Sequence, residues 1–328
     1  MSMTRIGHSL MTLGIVALVA CGGGTQPPVT EPPPPPVEPE PPVVTTTAEP
    51  PEQPPEQPPA QPAEPVRLTL ATWSITGLGA RDGQGEVPRA AEDYERLRQY
   101  ADRLAVDVIA LQEIDGVEAA RRIFPPDTYN VACSASGGTM RVCFAYKKAL
   151  TATTEEVPSI AGGDGGRPGF VLNLQVAGRT LRILDVHLAT GCAAGNWSRN
   201  QDPCNSLRAQ VSALEEWIDA RASAGEAFIV AGDFSRRLDA QDALWRAIDD
   251  GDPEGADLTR VNEGLQSQCW RGRRPTFTSA VVLGADAAPW MVADTFEEMD
   301  FDRQDARVEA ALSDQCPQVV DILVPAPE

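Results

Sequence analysis

Eighteen of the chain's 30 prolines fall between Pro27 and Pro65, and that crowding decides where a fold can form. From Gln26 to Pro65 the chain is almost only Pro, Glu, Gln, Thr, Val and Ala. Such a segment lacks the apolar surface to offset the entropy of ordering it, and its prolines favour extended polyproline II. At ~3.1 Å per residue, a tract of this length reaches up to ~120 Å and reads as a stalk. Folding is thereby confined to 66–328, a stretch of 263 residues with no second linker and no internal repeat. That is enough for one large domain with a sizeable core.

The first 20 residues read as an address. Arg5 opens a short basic region, Leu10 to Ala20 are apolar, and the run is too short to span a bilayer as a helix. Leu18-Val19-Ala20-Cys21 resembles the bacterial lipoprotein cleavage box. It implies cleavage before Cys21, lipidation of that residue, and residues 21–65 as a disordered spacer. Gly22 fits delivery to the outer membrane of a Gram-negative cell. Six further cysteines, Cys133, Cys143, Cys192, Cys204, Cys269 and Cys316, form an even set behind a secretion signal and suggest three disulfides. Six cysteines allow 15 pairings. Local closure favours Cys133–Cys143 and Cys192–Cys204, leaving Cys269–Cys316; no paired C-x-x-C spacing supports a metal cluster instead. Without the seven glutamates of the tract and without Arg5, the domain holds 40 acids and 26 bases, a net charge of −14. A uniformly acidic surface disfavours non-specific nucleic-acid binding, where phosphate contacts dominate affinity.

Alternation in Val66–Trp73 predicts a first strand, followed by a glycine-rich loop. Pro88 then suits the start of a helix with Tyr94, Leu97, Ala101 and Leu104 as its stripe. Val106–Gln112 reads as a buried strand and Val117–Ile123 as a short helix. Further strands are expected at Tyr129–Ala132, Arg141–Tyr146, Phe170–Val176 and Leu181–His187. Asn205 is the expected cap of a helix ended by Gly225, with Leu207, Val211, Leu214 and Ile218 inside. A strand at Phe228–Ala231, a helix around Ala240–Ile248 and strands at Phe277–Leu283 and Val319–Val324 complete the series. Trp217 and Trp245 sit at helical positions and read as core. Helices interleaved with mixed strands predict an α/β layered domain.

Candidate chemistry gathers at strand ends. Glu113 follows Leu111-Gln112, Asp233 follows Gly232, where glycine permits a sharp turn, and Asp314 follows Ser313. His187 ends its strand and is the sole histidine outside the signal region. Singly, each reads more simply as a loop carboxylate, a helix cap or a hydrogen-bonded structural histidine. Their order, Thr72-Trp73, Leu111-Gln112-Glu113, Val186-His187-Leu188, Gly232-Asp233-Phe234 and Ser313-Asp314, resembles the endonuclease/exonuclease/phosphatase superfamily, the fold of deoxyribonuclease I-like enzymes and apurinic endonucleases. The resemblance covers nearly all of 66–328. It implies a four-layer α/β sandwich of two packed mixed sheets and Mg²⁺- or Mn²⁺-dependent phosphoester hydrolysis. Glu113 would be the principal metal ligand and Asp233 would orient or deprotonate the attacking water. His187 would hydrogen-bond the phosphate, and Asp314 would lie in or near the metal shell.

The chain departs from that pattern at four positions. Ser74 and Ser235 stand where the family has Asn, Gln315 where it has His, and Ser279 where it has the Asp that orients that His. A serine hydroxyl reaches less far than an amide oxygen, and Gln315 cannot carry a proton near neutral pH. An enzyme scaffold with a dismantled site is one expectation, metal then being weakly held or absent, and a phosphorylated ligand or a protein the partner. A divergent, working phosphodiesterase or nuclease is another, and an envelope lipoprotein without a site a third. Arg236 and Arg237, beside Asp233, and the Arg271-Gly272-Arg273-Arg274 group are candidate phosphate contacts against the simpler reading of solvated charge.

Overall fold

The computed structural model describes residues 64–327 except 137, 164–165, 196, 199, 274–275 and 303–304. The signal region, Cys21, almost all of the stalk and Arg274 lie outside the described residues. In chain order the elements are β1 (Val66–Leu78), α1 (Ala91–Leu104), β2 (Val108–Ile114), α2 (Val117–Arg121), β3 (Tyr129–Cys133), β4 (Arg141–Lys147), β5 (Thr151–Val157), β6 (Gly169–Val176), β7 (Arg179–His187) and α3 (Asp202–Ser223). β8 (Phe228–Asp233), α4 (Trp245–Ile248), β9 (Thr259–Arg260), α5 (Cys269–Gly272), β10 (Ser279–Leu283), β11 (Glu297–Glu298), α6 (Ala306–Ala311) and β12 (Gln318–Val324) follow.

Two six-stranded sheets result, ordered β11-β12-β1-β2-β4-β3 and β5-β6-β7-β8-β10-β9. Each is antiparallel except for one central parallel pair, β1 with β2 and β7 with β8. The period-2 alternation of each strand divides its side chains between two cores. Leu68 and Leu70 of β1, Val108 of β2, Ile183 of β7, Ile229 of β8 and Val281 of β10 meet between the sheets. Trp73, Ile109 and Leu111 point the other way, onto Leu97, Tyr100 and Leu104 of α1. Leu184, Val186 and Val230 pack outward onto Leu207, Leu214 and Ile218 of α3. Helix, sheet, sheet and helix make four layers, as the resemblance implied.

Several local expectations are corrected. α3 begins at Asp202 with Pro203 in its first turn, so Asn205 lies inside the helix and does not cap it. The expected 240–248 helix shrinks to Trp245–Ile248, because Asp239 and Asp242 fold their side chains onto nearby backbone N–H groups and hold turns instead. β5 was missed because Thr151–Val157 is an exposed, polar edge strand with no apolar alternation. Gly232 lies within β8, at φ 138°, and makes no turn. A Cβ there would stand 2.1 Å from the Val186 carbonyl oxygen, so glycine is needed for the close approach of β7 and β8. The three disulfides are Cys133–Cys143, Cys192–Cys204 and Cys269–Cys316. Among the described residues no helix is long and apolar enough to cross a membrane.

Candidate active site

The core between the sheets turns polar toward the carboxyl ends of the parallel strands. In β1 the inward series runs Leu68, Leu70, Thr72, Ser74; in β7 it runs Leu181, Ile183, Asp185, His187; in β8 it runs Ile229, Ala231, Asp233. Register sets His187 beside Asp233, and Asp233 beside Ser279, across three neighbouring strands. Glu113 joins them by a different device. Regular alternation would turn it outward after the inward Gln112, but its backbone sits at φ 65° in a bulge where β2 loses register with β1 and β4. The bulge re-aims the carboxylate into the site, at a cost of order 1–3 kcal/mol for a non-glycine residue in the left-handed region.

Each carboxylate is held. Glu113 accepts from Ser74 Oγ and from the Gly77 N–H, both at 3.2 Å. Asp233 accepts from the Ser235 N–H at 2.7 Å and from Gln315 Nε2 at 2.6 Å. The Ser279 hydroxyl donates in turn to Gln315 Oε1. Ser235 lies at φ 54° and donates its hydroxyl to the Leu188 carbonyl at 2.9 Å, away from the cleft. Asp314 stands at the rim, where its carboxylate accepts from Thr76 Oγ1 at 2.8 Å. Ser313 anchors that rim by donating to the Ser74 carbonyl at 2.6 Å.

Ligand atoms of Glu113, His187 and Asp233 lie within 4.8 Å of one another, and Asp314 is not in that group. His187 is buried, its Nε2 stands 3.8 Å from Glu113 Oε1, and neither ring nitrogen has a hydrogen-bond partner among the described residues. Burial, and then the charge of Arg167, hold its pKa well below the ordinary value, so the imidazole is neutral. Burial, the Asp233 charge and the Asp314 charge push the Glu113 pKa up. Asp233 is raised chiefly by burial, with the Gln315 and Ser235 hydrogen bonds opposing. Two carboxylates and two orphaned imidazole nitrogens in one buried cluster fit a dication.

Arg236, a candidate phosphate contact, is buried instead. Its guanidinium donates to Asp242 at 2.8 Å, to the Cys192 carbonyl at 2.7 Å and to the Gly195 carbonyl at 3.0 Å, so it buttresses the 192–195 loop. Arg237 is exposed and shares a cleft with Ser279, Arg260 and Phe277. Arg273 pairs with Glu309 at 2.9 Å and lines the cleft that contains Asp314 and Gln315. The cation that sequence reading missed is Arg167. It donates to the His187 and Leu188 carbonyls at 2.9 and 2.8 Å, and its charge acts on both Glu113 and Asp233. No periodicity marks it, since it lies in a loop among glycines.

Beneath the site, Asp185 bridges the two sheets by accepting from Gln112 Nε2 at 2.7 Å. Burial raises its pKa well above the ordinary value, the Gln112 hydrogen bond opposing. The unfolded chain releases that proton first, so stability is full below the unfolded pKa and falls as pH rises toward the folded one. Asp185→Asn removes this loss. Its stability advantage over the parent is expected to grow above about pH 4 by up to about 1.4 kcal/mol per pH unit, and to vanish below it, as denaturant melts across pH would show.

The class that fold and site define is a two-sheet α/β sandwich with acids and a histidine converging at the strand ends. Residues 76–287 match the model of the Endonuclease/Exonuclease/phosphatase family, and the chain belongs to that family. Similar solved structures include truncated Caenorhabditis elegans TDP2, at 12% identity and TM-score 0.56, covering 79% of this chain and 98% of that one. The family protein from Bacteroides vulgatus has 13% identity and TM-score 0.53, covering 79% and 99%. The 3′ phosphatase NExo from Neisseria, bound to product DNA hairpin, has 12% identity and TM-score 0.54, covering 78% and 99%. At such identities these likenesses concern the fold. No curated protein matches the chain.

Proposed function

We propose that this is a catalytically weakened phosphoesterase domain, carried outside the cytoplasm on a lipid-anchored stalk, that binds a phosphate-bearing ligand at the Glu113–His187–Asp233 cleft. The observation that carries the weakening is the Gln315 amide seated on Asp233 at 2.6 Å, with Ser279 behind it. Asp233 has one oxygen engaged by Gln315 and the other by the Ser235 N–H, two donated hydrogen bonds that make it a weaker base toward water. Gln315 donates a hydrogen bond but delivers no proton to a leaving group, and Ser279 has no charge with which to orient an imidazole. A dication held by Glu113 and Asp233 would supply charge stabilisation to a phosphoester oxygen. Arg167, a half-buried guanidinium whose charge acts on both Glu113 and Asp233, keeps the rest of the cleft suited to an anion. Lipidation at Cys21 with 21–65 as spacer accounts for the sequence before the domain. Three disulfides accord with an oxidising compartment, and Gly22 fits the outer-membrane pattern.

The competing reading, a working Mg²⁺- or Mn²⁺-dependent phosphodiesterase, draws on the same convergence of Glu113, His187 and Asp233. Hydrolysis of bis(p-nitrophenyl) phosphate and single-stranded DNA with either ion, beside Glu113→Ala, separates the two. Turnover within about tenfold of Glu113→Ala is expected; turnover about 100-fold or more above it would establish the working enzyme.

A further inference from the structure

The family pattern assigns the cleft an all-oxygen shell suited to Mg²⁺, with the histidine turned to the phosphate. The residues here describe a different donor set. Ser74 and Ser235 replace the two amide side chains; the Ser74 hydroxyl is engaged on Glu113 and the Ser235 hydroxyl turns to the Leu188 carbonyl. The Ser235 hydroxyl is thereby withdrawn from the space between Glu113 and Asp233, and the Ser74 hydroxyl already holds a partner there. His187 stands in that space: it is 2% exposed, its Nε2 is 3.8 Å from Glu113 Oε1, and both nitrogens lack partners among the described residues. A buried imidazole with no hydrogen bond at either nitrogen forgoes about 1–3 kcal/mol per group unless something outside the protein satisfies it. Each carboxylate oxygen already holds one hydrogen bond and keeps a lone-pair direction for a further partner. Bonds of about 2.1 Å place tetrahedral ligand atoms about 3.4 Å apart, so ligand atoms now within 4.8 Å need only small side-chain adjustments.

We infer that His187 is itself a metal ligand, and that Glu113, His187 and Asp233 form a mixed nitrogen–oxygen site for a first-row transition dication in preference to Mg²⁺. Imidazole nitrogen suits Co²⁺, Ni²⁺ and Zn²⁺, whereas Mg²⁺ demands oxygen ligands in near-octahedral array and dehydrates reluctantly. All six cysteines of the domain are in disulfides, so no thiolate in the domain competes for the ion. The inference rests on the reading of Glu113 and Asp233 as the metal-binding carboxylates of the proposed function.

The test uses the full chain, stripped with chelator, and the metals alone. Co²⁺ is titrated by its visible absorption and Mg²⁺ by calorimetry, in the parent, His187→Gln and Glu113→Gln. Expected are Co²⁺ binding about 100-fold or more tighter than Mg²⁺ binding, loss of about 100-fold in Co²⁺ affinity in His187→Gln with Mg²⁺ affinity unchanged, and loss of both ions in Glu113→Gln. Pulsed EPR of the Cu²⁺-loaded parent needs no variant and is expected to show imidazole nitrogen coupling. Equal Co²⁺ affinity in parent and His187→Gln, or no nitrogen coupling, overturns the histidine ligand while leaving the carboxylate site intact. Absence of both ions from the parent overturns the metal reading of the cleft altogether, and with it the proposed cofactor.

Discussion

Replacing Ser279 with Asp and Gln315 with His together is expected to raise phosphodiester hydrolysis by about 10²–10⁴-fold over the parent, the range a positioned general acid–base group contributes. The two positions already touch, since the Ser279 hydroxyl donates to Gln315 Oε1, so a carboxylate and an imidazole placed there meet without a new backbone path. Cys316, disulfide-bonded to Cys269, fixes the residue that follows Gln315, which keeps the new ring over the cleft. The double change also removes the Gln315 amide from Asp233, freeing one of its oxygens. The single changes are expected to do far less. Gln315→His alone supplies a ring with no charged partner to orient it. Ser279→Asp alone buries a second carboxylate beside Asp233, on the neighbouring strand, with no cation between them. Rates for the two singles and the double form a cycle, and a coupling of at least about tenfold is the expected signature of a pair acting as a unit. If the folded double variant stays at the parental rate, the loss resides at Ser74 and Ser235, and adding Asn at both would then be required for turnover.

How much of this was legible in the sequence depends on which physical rule governs each residue. Ser74, His187, Asp233 and Ser279 follow strand alternation, and the rule that places His187 and Asp233 at one edge of the sandwich also buries Ile183 and Ile229 beneath them. The short-range disulfides were legible for a similar reason: closing a short loop demands little of the fold. Glu113 was legible as a residue but not as geometry, because its aim depends on a bulge at φ 65° that strict alternation would place on the wrong face. Arg236 was misread because charge alone does not tell a solvated guanidinium from one folded inward onto Asp242 and two carbonyls. Arg167 and Arg89 left no signal, since both act on backbone carbonyls brought from distant parts of the chain. Such contacts belong to tertiary structure, which local pattern does not encode.

Arg89 carries the largest expected effect on stability. It is 1% exposed, and among the described residues no carboxylate accepts from its guanidinium. Its nitrogens donate to five backbone carbonyls: Ala311 and Leu312 at 2.6 Å, Thr76 at 2.8 Å, Gly77 at 3.3 Å and Val87 at 3.4 Å. Burial pushes its pKa down to about 10, which still leaves it charged at neutral pH. These carbonyls come from the end of β1, the glycine-rich loop and the turn after α6, and the last of these leads directly into Ser313, Asp314 and Gln315. Arg89→Met keeps most of the volume but strands several buried acceptors, each costing about 1–3 kcal/mol, and a net loss of about 3–5 kcal/mol is expected in denaturant unfolding. Arg89→Lys separates charge from geometry. A lysine retains the cation but has a single nitrogen, which cannot reach carbonyls fanned across a planar guanidinium, so it is expected to recover less than half of the loss. The same variant reports on the site, because Gly77 also donates its N–H to Glu113 and Thr76 its hydroxyl to Asp314. A cost below about 1 kcal/mol for Arg89→Met would mean that water reaches those carbonyls and that the Cys269–Cys316 disulfide and the Ser313–Ser74 hydrogen bond suffice to hold the rim beside Gln315.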